Sequence, residues 1–317
     1  MKSKNAGVII FICIIAASLG VAILTVISFK SRGAPVSGIP QPAVSKKIIA
    51  NDYIARVYVS GVIQASNQTY NQKWLLDTVK RLKNDKKNAA LIVSINSPGG
   101  AVYEADEVYF ALRDYAASGK PVWAYMEQLA ASGGYYIACG ADYIAANRNT
   151  LTGSIGVIAG QSIDLTGLME RYGIKVTTFT SGKNKNMLNF DSPLTQEQRD
   201  IMQSIADECY NQFVKIISDA RHMSAARVQS RADGRIFTAK QALDAGLIDT
   251  VGTFEEARDA LAASLNLGGK KIDTLDFKYN PRATVWDFLG TQIKRAPELE
   301  LLNRIPDVQY PAYLYAQ

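Results

Sequence analysis

The stretch Leu129-Ala130-Ala131-Ser132-Gly133-Gly134-Tyr135-Tyr136 places one hydroxyl among small residues, between a strand-like run at 121–126 and a short apolar helical run. Backbone N–H groups at a helix start are unpaired and partially positive. A serine there can attack a carbonyl while the N–H of Gly133 steadies the developing oxyanion. Gly133 and Gly134 also clear space for a substrate backbone. Serine is equally a favoured helix N-cap, so this stretch alone also reads as a capped helix. A second turn, Asn96-Ser97-Pro98-Gly99-Gly100, follows a buried strand pattern and precedes a helical one. Ligands of open α/β sheets bind beyond the carboxyl ends of strands. Bare N–H groups at Gly99 and Gly100 suit an oxyanion there, although such glycines also serve plain turn geometry.

A nucleophilic serine needs a base. His222 is the one histidine, and it stands at the end of a long helical pattern, where histidine complements the helix C-terminus. Lysine is the other route, provided burial lowers its pKa from about 10.4 towards about 7–8. Lys183 and Lys185, in Ser181-Gly182-Lys183-Asn184-Lys185, are the candidates, though composition alone reads both as solvated. One histidine and three separated cysteines give no zinc pattern. A glycine-rich phosphate loop is also missing, so no metal or cofactor is expected. Cys13, Cys139 and Cys209 make no disulfide framework.

The elements that must hold these residues alternate. Strands are expected at 53–59, 89–95, 121–126, 143–146, 155–159 and 175–180. Helices are expected at 74–83 and 101–118, then in a short form after Ser132, and at 165–172. Further helices start at capping boxes: Thr195 with Gln198, Thr238 with Gln241, and Thr253 with Glu256. The long 195–221 helix turns Ile201, Ile205, Cys209 and Phe213 inward. Repeated βα order predicts an α/β fold with mostly parallel strands. Beyond about residue 268 the periodicity fades, so 269–317 reads as a tail. Its apolar end, Tyr310 to Gln317, is a candidate to lie in a peptide groove as a product-like strand, the alternative being a disordered end.

Charge and hydropathy place the chain. Ala6 to Phe29 is 24 residues without a charge, about 36 Å as a helix, against about 30 Å of hydrocarbon. It reads as an uncleaved anchor after a cytoplasmic stub (1–5), with a Pro/Gly linker over 30–46 and the body over 47–268. The free amino terminus favours N-inside, with the body on the extracytoplasmic side. Of the +6 net charge, four units come from Lys2, Lys4, Lys30 and Arg32, with no acid in 1–33. The +2 left for the body excludes a polyanion-binding surface, so no nucleic-acid partner is expected.

Asn96 to Gly100, Ala131-Ser132-Gly133-Gly134-Tyr135-Tyr136, Thr152-Gly153-Ser154-Ile155-Gly156-Val157 and Gly182-x-x-Lys185 occur in this order. They are followed by Asp233-Gly234-Arg235-Ile236-Phe237-Thr238 with Gln241-Ala242, and by Gly246-Leu247-Ile248-Asp249. Together, over roughly 50–265, they resemble the single-domain signal peptide peptidases of the SppA type. The resemblance implies a membrane-anchored serine endopeptidase of Clp protease/crotonase-like fold that degrades apolar peptides such as released signal peptides. It implies Ser132 as nucleophile, Lys185 rather than Lys183 as base, and Ser154 orienting the amine. Gly133 with Gly99 or Gly100 would form the oxyanion hole. It also implies a homo-oligomer in which Ser132 and Lys185 can come from neighbouring chains. Two alternatives stay open: a crotonase-like acyl-CoA enzyme, for which Glu104 and Asp106 read as solvent-facing, and a scaffold that has lost its chemistry.

Overall fold

The computed structural model describes residues 52–265, 272–281 and 312–314. In chain order its elements are β1 (Tyr53–Ser60), α1 (Gln72–Asn84), β2 (Asn88–Ser97), β3 (Gly99–Ala101), α2 (Val102–Ala116) and β4 (Val122–Ala131). Next come α3 (Gly133–Ala138), β5 (Tyr143–Ala146), β6 (Leu151–Gly153), α4 (Thr166–Tyr172) and α5 (Gln196–Arg221). The order closes with α6 (Ala225–Gln229), β7 (Ile236–Thr238), α7 (Ala239–Asp244), β8 (Thr250–Val251), α8 (Phe254–Ser264), β9 (Asp273–Phe277) and β10 (Ala312–Leu314). The proposed anchor (6–29) and linker (30–46) lie outside the described residues. No helix among the described residues is long and apolar enough to cross a membrane.

Eight strands form one mixed sheet, ordered β7-β6-β4-β2-β1-β9, with β5 on β4 and β8 on β5. Every pairing in it is parallel except β6 with β7. Strand alternation divides β1 between two faces. Tyr53, Ala55, Val57 and Val59 pack with α1, α2, α3 and α5, while Ile54 packs with Ala257 and Leu261 of α8. Both faces of β2 are covered, which is why 89–95 is a nearly unbroken apolar run.

Three expectations are corrected. The 155–159 and 175–180 runs form no strands; the strand after β5 is the short β6, pinned by Thr152 Oγ1 donating to the Ala130 carbonyl. The stretch read as tail contributes β9, which pairs with β1. Only the second half of α5 is core: Phe213, Val214 and Ile217 are buried, while Ile201, Ile205 and Cys209 are only partly covered. All three capping boxes form as expected. Cys139 and Cys209 are free thiols.

Candidate active site

Strand β4 is the element that presents Ser132. Its first half pairs with β5 and its second half, Leu129–Ala131, with β6. An irregularity in its pairing with β2 lies between these halves and redirects the strand. Ser132 then turns the chain into α3 with φ 54° and ψ −118°. These are the angles of the first central residue of a type II′ turn, a conformation that normally takes glycine. A sharp strand–serine–helix turn of this kind thrusts a nucleophile out of its sheet. The backbone N–H of Ser132 donates to Gly153 O at 2.7 Å, and its carbonyl accepts from Tyr136 N at 2.9 Å. Its side chain does not cap α3, so the capped-helix reading falls away. Ser132 is fully buried, and its Oγ has no hydrogen-bond partner. A buried hydroxyl left unpaired costs free energy, so the site holds a polar atom awaiting a partner.

The Gly99–Gly100 turn lies against this elbow. A Cβ on Gly134 would stand 3.0 Å from the carbonyl oxygen of Ser97, which keeps the two turns in close contact. Gly99 has φ +102°, and a Cβ on Gly100 would fall 1.8 Å from Ile63 O. Ile63 occupies one edge of β3, its N–H donating to Gly99 O and its carbonyl accepting from Ala101 N, both at 2.8 Å. Backbone alternation then leaves the N–H and C=O of Gly100 on the other edge. That edge is taken by β10, antiparallel, with Tyr313 opposite Gly100. A segment of the chain's own C-terminal region thus lies as a strand against the turn beside Ser132. The N–H of Gly99 already donates to Ser97 Oγ at 3.1 Å, a contact with no signal in the sequence beyond the Ser-Pro-Gly-Gly order.

Ser154 stands one residue beyond β6, buried, with φ 49° and its N–H donating to Arg235 O at 2.8 Å. Since Ala131 pairs with Gly153, Ser154 is placed at the same strand ends as Ser132. Lys185 is not brought to Ser132 within the chain: it is exposed, in a turn closed by its N–H to Gly182 O. Lys183 is engaged elsewhere, donating to Glu197 at 2.8 Å, and Asn184 donates to the same carboxylate at 3.1 Å. Glu197, in the first turn of α5, thereby fastens this turn, and Lys183 holds its carboxyl below the usual range. Glu197 belongs to no motif in the sequence. The segment carrying Lys185 exposes large apolar side chains, including Ile163, Leu168, Tyr172, Ile174 and Phe179, the last 94% exposed.

His222 ends α5 in a left-handed conformation and lines a cavity of about 240 Å³ with Arg113, Cys139, Asp142 and Asp219. It makes no hydrogen bond to Ser132 Oγ. Burial pushes the Cys139 thiol up to about 12. Asp106 departs from the solvent-facing expectation, since it accepts a hydrogen bond from Tyr136. Among the described residues no group of three or more His, Cys, Asp or Glu is placed to hold a metal ion.

The model of peptidase family S49 matches residues 115–268, a span containing Ser132, Ser154 and Lys185. A candidate protease of Synechocystis is 39% identical over 237 residues, covering 75% of this chain and 83% of that protein. This chain belongs to peptidase family S49. It is an SppA-type serine peptidase, a hydrolase. A candidate signal peptide peptidase SppA of Enterococcus faecium is 32% identical over 251 residues, covering 77% of the chain and 72% of that protein. A candidate protease of Methanocaldococcus jannaschii is 31% identical over 275 residues, covering 86% of each. Among solved structures, a ClpP1 mutant from Listeria monocytogenes superposes with a TM-score of 0.42 at 18% identity, over 65% of this chain and 94% of that one. Membership in S49 sets the acyl-CoA alternative aside.

Proposed function

We propose that this S49 peptidase is a membrane-tethered endopeptidase working through a Ser132–Lys185 dyad on extended apolar peptides, released signal peptides among them. The observation that carries the reading is the buried, unpartnered Oγ of Ser132 at a backbone elbow next to a glycine strand. The substrate backbone would pair with the β3 edge as β10 does, which is strand addition. Ser132 Oγ attacks the scissile carbonyl and the Lys185 amine takes its proton. The N–H of Gly133, with Gly99 or Gly100, receives the oxyanion. The lysine ammonium then protonates the leaving amine, and water resolves the acyl-enzyme. Ser154 orients the amine.

In this reading the amine arrives from a second copy of the chain. The exposed apolar arm around Lys185 and the half-covered first turns of α5 are surfaces that such a copy would bury. Burial there also supplies the dry setting that a lysine base requires. No cofactor enters the scheme. The 6–29 segment would tether the assembly with its body outside the cytoplasm, which protease accessibility of intact and permeabilised cells tests. For the dyad, labelling by a fluorophosphonate probe is expected to vanish in Ser132→Ala, fall sharply in Lys185→Ala and persist in His222→Ala. Undiminished labelling of Lys185→Ala sinks the lysine mechanism.

A further inference from the structure

Three helices each carry one piece of the proposed dyad site, and one buried hydroxyl joins them. Helix α2 continues directly from the Gly99–Ala101 strand, and α3 continues directly from Ser132. Helix α5 holds the Lys185 turn through Glu197. Tyr136, fully buried in α3, donates its hydroxyl to Asp106 Oδ1 of α2 at 2.6 Å and accepts from Gln212 Nε2 of α5 at 2.8 Å. Its ring packs against Tyr109 of α2 and Phe213 of α5, with centroids 5.8 and 5.0 Å away.

The packing of these rings already suffices to hold three helices together. A hydroxyl reaching a carboxylate and an amide adds something packing does not: it fixes the rotation and register of α3 and α5 relative to α2. Hydrogen bonds are directional, falling off steeply with angle, whereas apolar contact is not. The first backbone bond of α3 runs from Tyr136 N–H to the Ser132 carbonyl, so a shift of Tyr136 moves the nucleophile's own peptide unit.

We infer that Tyr136 is a positioning residue of the peptidase site, its hydroxyl fixing α5, and with it the Lys185 turn that this chain offers to a neighbouring copy, relative to its own nucleophile and glycine strand. The inference rests on the Ser132–Lys185 reading. Asp106 is the anchor of this brace and Gln212 its link to α5. The brace acts on the chemical step, because within one chain it fixes the nucleophile that receives a neighbour's amine and the Lys185 turn that is offered to another copy, and it leaves peptide pairing along β3 nearly untouched.

The test is steady-state peptide hydrolysis and fluorophosphonate labelling by the full-length chain, well below its melting temperature. Variants are Tyr136→Phe and Gln212→Ala, beside Ser132→Ala and Lys185→Ala. Tyr136→Phe keeps the ring and loses both bonds; kcat and labelling rate are expected to fall about tenfold, with KM within about twofold. Gln212→Ala, at an exposed helix position that accepts alanine, cuts only the α5 link and is expected to lower kcat about threefold to fivefold. If Tyr136→Phe does not fold, Gln212→Ala decides alone. Unchanged kcat in the folded variants, or a change confined to KM, overturns the brace while Lys185→Ala is inactive. Full activity of Lys185→Ala overturns the dyad itself.

Discussion

Replacing Gly100 by alanine tests how the glycine strand is built. The new Cβ would lie 1.8 Å from the oxygen of Ile63, 2.6 Å from its carbonyl carbon and 2.7 Å from its nitrogen. All three are backbone atoms, so no rotamer change relieves the clash. The chain must part, and the two hydrogen bonds joining Ile63 to Gly99 and Ala101 are the first casualties. Two neutral bonds lost at a buried strand, with their polar groups left unpaired, cost about 2–4 kcal/mol. That corresponds to a melting midpoint lower by roughly 5–15 °C. Since β3 also borders Ser132, its displacement is expected to slow acylation about a hundredfold or more, the loss seen when one oxyanion donor is removed. Calorimetry and fluorophosphonate labelling read the two effects separately. Gly167→Ala, where an added Cβ meets nothing within 4 Å, is the control, and is expected to be neutral or slightly stabilising. A Gly100→Ala protein that melts and labels like its parent would refute this account of the turn.

Three further outcomes follow from the same geometry. Lys183→Ala removes a solvent-exposed pair with Glu197 and leaves the Asn184 bond to hold the Lys185 turn, so peptide hydrolysis is expected to stay within about threefold of the parent. A loss as deep as that of Lys185→Ala would show that the base is wrongly assigned. Truncation after Tyr310 removes the strand that occupies the Gly100 edge; two hydrogen bonds set against loop closure leave about 1 kcal/mol, so KM for a short peptide should fall about fivefold. An unaltered KM would mean the edge is free in the intact chain. The hydrogen bond from Tyr53 holds the Asp85 carboxyl below the usual carboxylate range. Its contribution to stability is therefore present above the unfolded value of about 4 and is lost as pH falls through the lowered folded value. Urea midpoints of Asp85→Asn should accordingly decline less between about pH 5 and pH 3 than those of the parent; parallel curves would refute the assignment.

What could be read in the sequence was whatever local chemistry decides. The buried strands, the three capping boxes and the glycine after each catalytic-looking turn all declare themselves within a few residues. The 175–180 run alternates like a strand but finds no partner strand, because pairing is a property of the whole sheet. β9 is the opposite case: five residues, three of them polar, become a strand only because β1 offers an edge. The elbow at Ser132 could be suspected from its glycines, but its positive φ could not. Asp106 looked like a surface acid until Tyr136, thirty positions later, met it. Lys185 could be singled out by resemblance, whereas Glu197, which fastens its turn, carries no motif.

The backbone angles at position 132 set stability and turnover against each other on one side chain. Glycine would sit there without strain, and the chain would gain whatever a non-glycine residue gives up in that region, about 1–3 kcal/mol. Random drift towards a sturdier protein therefore runs straight through loss of the nucleophile. A catalytically dead Ser132→Gly protein should outlast its parent on heating, whereas Ser132→Ala keeps the cramped turn and is the fairer blank for any assay.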